Sequence, residues 1–260
     1  IFNNKNSRNL EKNNLQGFYE TTLEWAKNNN LETTNYFNIY DSTIINLKPP
    51  NTLNKQIHFS FRFSSKIQLP SSFIAIIPEG RYWLNQKRSS SVVITPDHKI
   101  LGDLSPEFPA LQPGHPEKHP SKHSFFQLTE LPTIQKRNET ILVLSGLLDN
   151  VYFHWMFEIL PQLELIKLSG INLDQIDKIL VSNKLSFQKE TLQRLNINSE
   201  KILSIDDTIH LQANQLIVPS LPASLAWMPQ WSCEFLRNTF LDENILNNTE
   251  TIEKIYISRQ

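Results

Sequence analysis

Asn150-Val-Tyr-Phe-His154-Trp155-Met-Phe-Glu158-Ile-Leu-Pro161 comes shortly after an apolar run, Thr140-Ile-Leu-Val-Leu-Ser-Gly146. The run has the length and β-branched content of a buried strand. The stretch after it opens an apolar segment that reads as one helix over 150–168, with Asp149 or Asn150 as its N-cap. Strand followed by helix sets the fold of this half, because the same alternation continues beyond it. His154 and Glu158 are four apart, so on a helix they share one face. An ionisable pair just after a strand lies at the carboxyl edge of the sheet, where open α/β sheets take their ligands.

Working outward, a strand at 178–182 leads to a helix at 187–195. Short strands follow near 201–205, 208–212 and 215–218. A helix at 230–241 leads to a strand at 254–258. Strands joined through helices pair in parallel by right-handed crossovers, so 136–260 reads as a Rossmann-like parallel-sheet domain. Upstream the pattern differs. Residues 1–14 are polar and read as frayed. Gly17 to Asn28 reads as a short amphipathic helix, and Pro49-Pro50 as a stiff linker. Ile57–Phe63, Phe73–Ile77, Arg81–Leu84, Ser91–Thr95 and Lys99–Leu101 read as short strands, with Pro78-Glu-Gly80 closing a turn. Residues 105–123 hold five prolines and read as a long loop. The expected division is therefore 1–56, an N-terminal helix and linker; 57–135, a small antiparallel β module; and 136–260, the Rossmann-like α/β domain.

Composition narrows the function classes. Net charge is −1, which argues against nucleic acid as the main partner. No apolar run approaches the roughly 18–20 residues of a membrane span. The single cysteine, Cys233, excludes an internal disulfide and reads as a small core residue of a helix. There is no Gly-x-Gly-x-x-Gly and no Walker loop, so the usual nicotinamide or ATP sites find no support. His115, His119 and His123 have metal-ligand spacing, but Pro113, Pro116 and Pro120 remove the helix that would give it meaning. A solvated basic loop is the better reading. Asp97 and Asp103 are not arranged as an Asp-x-Asp metal motif, which favours metal-independent chemistry.

A histidine oriented by a carboxylate is a general base. The bland alternative is a structural histidine that satisfies a buried carboxylate. Trp155, with Phe153, Met156 and Phe157, reads as buried core; the other reading of Trp155 is a platform for a sugar ring. Pro161 should bend the helix or loosen its first half.

Asn150, His154, Trp155, Glu158, Leu160 and Pro161 stand in register with the Asn-x-x-His-Trp-x-(Phe/Leu)-(Asp/Glu)-x-Leu-Pro signature, and the chain resembles glycosyltransferase family 61 on that ground. Lys254-Ile-Tyr-Ile-Ser-Arg259 resembles a second family segment. The family includes bacterial capsular-polysaccharide enzymes, plant xylan-decorating enzymes and animal O-linked N-acetylglucosaminyltransferases. The resemblance is good from about residue 90 onward. It implies an inverting enzyme of two Rossmann-like domains that takes a nucleotide-sugar donor as co-substrate, needs no other cofactor, and glycosylates a polysaccharide or glycan acceptor. His154 would be the base or an acceptor-positioning residue, with Glu158 beside it. Asn150 and Trp155 would contact substrate. Arg259, and more weakly Ser258, would approach the donor diphosphate; the bland reading of Arg259 is a surface arginine. The implied location is bacterial cytoplasm, with peripheral attachment to the inner membrane left open. On the same reading the chain is a fragment that lacks the donor-binding half and is itself inactive, with apolar surface exposed around Ile255, Tyr256 and Ile257. The rival from another class is a non-catalytic α/β interaction module of a polysaccharide-synthesis assembly.

Overall fold

A computed structural model describes residues 10–48, 51–53, 66–109, 115–205, 208–223 and 227–241, the side chain of Arg88 excepted. In chain order the strands and helices are β1 (Leu10–Lys12), β2 (Gly17–Tyr19), α1 (Thr22–Asn28), β3 (Tyr36–Tyr40), β4 (Thr43–Asn46), β5 (Lys66–Leu69), β6 (Ser72–Pro78), β7 (Arg81–Asn85), β8 (Ser90–Ile94), β9 (Lys99–Leu101), β10 (Glu130–Pro132), β11 (Gln135–Leu144), α2 (Tyr152–His154), α3 (Gln162–Ser169), β12 (Lys178–Val181), α4 (Ser186–Arg194), β13 (Ile202–Ser204), β14 (Thr208–Pro219) and α5 (Gln230–Phe240). The expected strands at 57–63 and 254–258 lie outside the described residues, as do Ser258, Arg259 and the apolar residues around Tyr256.

The chain is α/β. Four strands form a parallel block in the order β13-β12-β11-β14. The connection from β11 to β12 carries α2 and α3, and that from β12 to β13 carries α4. Both crossovers step in the same direction across the sheet, so right-handedness places their helices on one face. The packing agrees. Leu142 and Leu144 of β11, Ile179 and Val181 of β12 and Ile217 of β14 form one core with Leu165 and Ile166 of α3, Leu192 of α4 and Leu236 of α5. The alternate residues Ile141, Val143, Leu180, Leu216 and Val218 point the other way and pack with Trp25 and Ala26 of α1, as the two-residue period of a strand requires. Strands buried on both faces read as continuous apolar runs, and Ile141–Leu144 is such a run.

The boundary expected near residue 136 is crossed by hydrogen bonds. β14 pairs antiparallel with both β6 and β7. Its register runs unbroken from Pro219↔Ile74 to Thr208↔Asn85, so β6 and β7 are two halves of one long strand. Pro78-Glu79-Gly80 therefore reverses nothing. Glu79 takes a left-handed φ of 50° and donates its N–H to Asn214 O at 2.9 Å, and Gly80 O accepts from Ala213 N at 3.0 Å. A Cβ on Gly80 would lie 2.9 Å from the Ile77 carbonyl oxygen, so the kink needs a glycine there. Beyond it the sheet forks: β3 adds to β6, and β8, β9 and β2 follow from β7. One ten-stranded mixed sheet thus spans the two expected modules, which counts against treating 57–135 and 136–260 as separate bodies.

Local differences have local causes. β14 is one twelve-residue strand rather than two, because Gln212 and Asn214 in its polar middle still hold ladder positions against β7 and β6. Residues 10–12, expected to be frayed, form β1 against β10. Gly17–Tyr19 is a strand beside β9, and α1 starts only at Thr22, capped by the Thr21 hydroxyl accepting from Glu24 N. From residue 115 onward the proline-rich loop is ordered into successive single turns. His115, His119 and His123 each cap one by accepting, through Nδ1, the N–H two residues on. Their spacing of four is the repeat of these turns, not a ligand set. Among the described residues no group of three or more His, Cys, Asp or Glu is placed to hold a metal ion, and no helix is long and apolar enough to cross a membrane. Cys233 is half-buried on α5; the neighbouring core position belongs to Ser232.

Candidate active site

The segment from Leu147 to Pro161 leaves the carboxyl end of β11 and is not one regular helix. α2 is a single turn, Trp155–Ile159 widens into a π turn, and α3 starts after Pro161. Leu160 N bonds to Trp155 O at 3.1 Å, five residues back. Proline has no N–H to donate, and its ring crowds the carbonyl four residues earlier. The widened turn moves that carbonyl aside, and π turns of this kind concentrate at functional sites. The loosening expected from Pro161 is therefore present, in the form of a π turn.

A π turn keeps residues four apart on nearly the same face. His154 Nδ1 lies 2.9 Å from Glu158 Oε1, with side-chain exposures of 15% and 2%. The approach is close, but its direction is off the line of a hydrogen bond. The carboxylate is thus buried beneath an imidazole whose outer edge reaches solvent. That arrangement leaves one ring nitrogen for chemistry and turns the other toward a negative charge.

Trp155 does not fit the role of sugar platform. Its ring is fully buried in the core beneath α3 and α4, and its indole N–H donates to Thr191 Oγ1 at 2.8 Å. It anchors the π turn to α4. Replacing Thr191 with valine keeps the shape and removes the acceptor, so unfolding free energy is expected to drop by about 1–3 kcal/mol, read from urea denaturation.

The exposed aromatics are its neighbours. Tyr152 and Phe153 are 58% and 39% exposed. Phe153 meets the His154 ring edge-on at 5.3 Å, and Tyr152 meets Phe187 of α4 in the same way. An all-round apolar helix reads as core, and on that pattern Phe153 is expected inside. The signal was Pro161: a helix reduced to one or two turns at a sheet edge cannot bury its whole circumference. Asn150 is exposed just before α2, within reach of the same surface.

Neither Asp149 nor Asn150 caps α2; Val151 holds the cap position without a side-chain bond. Asp149 turns inward instead. Its Oδ2 accepts from Ser182 Oγ at 2.6 Å and its Oδ1 from Gln86 Nε2 at 3.0 Å, while its main-chain carbonyl accepts from Gln188 Nε2 at 2.9 Å. Burial pushes this carboxyl up to about 6, against the hydrogen bond from Ser182 and the nearby Lys184. Asp149 ties together the carboxyl ends of β11 and β12, the start of α4 and the turn after β7. Only an acid after a strand hints at this from sequence.

No curated protein and no solved structure matches the chain at a significant level. The family model described as Glycosyltransferase 61 matches residues 152–260. The match begins at Tyr152, so it takes in the π turn, His154 and Glu158 and leaves out the stretch from about residue 90 to 151. On this match, the part of the chain from Tyr152 onward is similar to the glycosyltransferase 61 family.

Proposed function

We propose that the protein is an inverting, metal-independent glycosyltransferase that moves a sugar from a nucleotide-sugar donor to a glycan acceptor. The family match over residues 152–260 supports glycosyl transfer. The observation that carries the mechanistic reading is the His154–Glu158 pair, 2.9 Å apart, after the carboxyl end of β11 and within the matched segment. His154 takes the proton from an acceptor hydroxyl as that oxygen attacks the anomeric carbon. The bond from the anomeric carbon to the nucleotide's phosphate oxygen breaks on the opposite side, and the diphosphate leaves with its electron pair. Glu158 orients the ring and stabilises the imidazolium that forms. Phe153 offers an exposed ring face beside His154 for the apolar side of a sugar. Arg259 and Ser258, outside the described residues, are assigned to the donor diphosphate on the sequence resemblance alone.

The same reading makes the parallel block the start of a Rossmann-like domain. Its strand order, with β11 counted first, is 3-2-1-4, the opening order of doubly wound sheets. Helices on both faces are not part of that support, since α3, α4 and α5 share one core.

The test is to incubate the purified full-length protein with a panel of nucleotide sugars and measure release of nucleoside diphosphate. The anomeric configuration of any product is then read by NMR. Release that depends on His154, with inverted product, is the expected result. No release from any donor leaves a non-catalytic module; release that is the same in the Glu158→Gln protein removes the role given to the His154–Glu158 pair.

A further inference from the structure

Gln162, the first residue of α3, is 2% exposed, yet neither end of its amide has a hydrogen-bond partner among the described residues, and its Oε1 is fully buried. Burying an unbonded amide is costly. It stands four residues after Glu158 and eight after His154, and its side chain lines a small hollow of about 20 Å³. Val143 and Ser145 of the β11 end and Val218 and Pro219 of the β14 end also line that hollow. In a sheet ordered 3-2-1-4, this is where the strand order reverses, the usual place for a ligand.

The hollow abuts a much larger cavity. Asp103, Pro106 and Leu221 line both, and the second has a volume of about 740 Å³, well inside the range of small-molecule sites. Its charges decide what it can take. Glu20, Asp103, Glu107 and Glu117 face it, against Lys118 and the capping histidines of the proline-rich loop. Burial lowers His123 toward its neutral form. With Glu117 paired to Lys122, three carboxylates still face one lysine, so a nucleoside diphosphate is disfavoured. Phe73, Pro120 and Leu221 give apolar wall, and Ser71, Ser105 and Ser220 give hydroxyls. Apolar faces with many neutral and acidic hydrogen-bonding groups suit an uncharged, hydroxyl-rich ligand.

We propose that this cavity holds the glycan acceptor as a neutral oligosaccharide, and that the Gln162 amide binds a sugar hydroxyl at its inner end. A hydroxyl both donates and accepts, so it satisfies Oε1 and Nε2 together. The assignment rests on the glycosyltransferase reading only for the word acceptor; the ligand class follows from the cavity.

The probes are the immobilised neutral oligosaccharides of a glycan array, with free uridine diphosphate as the anionic comparison. Two variants are used: Gln162→Leu, which keeps volume and removes the amide, and Ser71→Trp, which fills the mouth of the cavity from a half-exposed position. The wild type retains neutral glycans. Ser71→Trp abolishes retention, and Gln162→Leu weakens it about tenfold with an unchanged or higher Tm, because an apolar residue suits the site better than an unbonded amide. A wild type that retains no neutral glycan overturns the proposal. So does glycan retention indifferent to both variants, which makes the hollow a seat for one structural water. Uridine diphosphate lost on Ser71→Trp, with glycans kept, overturns it in favour of a donor site. Nucleoside diphosphate release without acceptor is measured in parallel. If release is present and Gln162 has no effect on glycans, the cavity proposal fails while the enzyme reading stands. If glycans bind in the cavity and no donor is turned over, the reverse holds.

Discussion

His154→Gln is expected to lower kcat by about 10²- to 10⁴-fold, the usual worth of a positioned general base, with little change in KM for donor or acceptor. Glutamine is chosen because it keeps a polar side chain of similar reach beside the buried carboxylate of Glu158, so the fold is maintained. Alanine would remove one partner of a carboxylate that is only 1% exposed, and the resulting instability would blur the reading. An interaction made only in the transition state shows as a fall in kcat and kcat/KM together; loss of plain binding shows as a rise in KM alone. The split therefore decides between the two roles left open for this residue, base or acceptor-positioning group. A KM effect with kcat intact would assign it to positioning. Glu158→Gln should give the smaller loss of the two, because orienting a ring is worth less than accepting the proton.

Much of this site was legible in the sequence, and its legibility has a physical basis. A run of strand length followed at once by His154 and Glu158 at helical spacing fixes which sheet edge they occupy. Four-residue spacing survives the exchange of an α turn for a π turn, because both keep the two side chains on nearly one face. Phe153, expected in the core with Trp155 but 39% exposed, was misjudged for the complementary reason. Which face of a short helix is buried depends on what packs against it, and α4, the partner here, lies more than thirty residues along the chain. Local pattern cannot say that Trp155 meets Thr191 while Tyr152 stays outside.

The fold shows the same division. Ile141–Leu144 and Lys178–Val181 read as buried parallel strands because residues covered on both faces need apolar side chains at every position. The joining of β6 and β7 along β14 was hidden in Pro78-Glu79-Gly80, a tripeptide that normally reverses a chain. What keeps it straight is a tertiary bond, Glu79 N to Asn214 O, with a partner more than a hundred residues away. A turn signal records what the backbone can do, and here the adjacent strand selected otherwise. Gln162 was overlooked, and Asp149 read as a helix cap, for a related reason. An amide or an acid in a sequence carries no mark of burial, and both became informative only once their surroundings closed over them.

Asp149→Asn is expected to stabilise the protein at neutral pH, and the gain should vanish in acid. The folded carboxyl, pushed up to about 6 by burial, lies above the usual unfolded value of about 3.9. Between those values the folded protein holds a proton that the unfolded chain has lost. Stability contributed by this group is therefore greatest below about pH 4, falls as pH rises toward 6, and is level beyond it. A shift of about two units corresponds to about 3 kcal/mol. Asparagine resembles the protonated acid: its carbonyl oxygen accepts from Gln86, and its amide donates to Ser182 Oγ, which turns to accept. The difference between variant and wild type, measured by urea denaturation, should be near zero at pH 4 and rise to at most about 3 kcal/mol by pH 7.5. Using the difference matters, because Asp103 is also pushed up to about 6 by burial, whereas Asp97 and Glu117 are held low by their hydrogen-bonded partners; these background slopes cancel. A pH-independent difference would mean that Asp149 is ionised in the fold throughout, held so by Ser182 and Gln86. Asp149→Ala separates charge from connection. It leaves Ser182 Oγ and Gln86 Nε2 without their acceptor and should cost about 1–3 kcal/mol at every pH. If it also lowers kcat although Asp149 touches no substrate, the cause is the tie between the β11 end and the turn that carries His154.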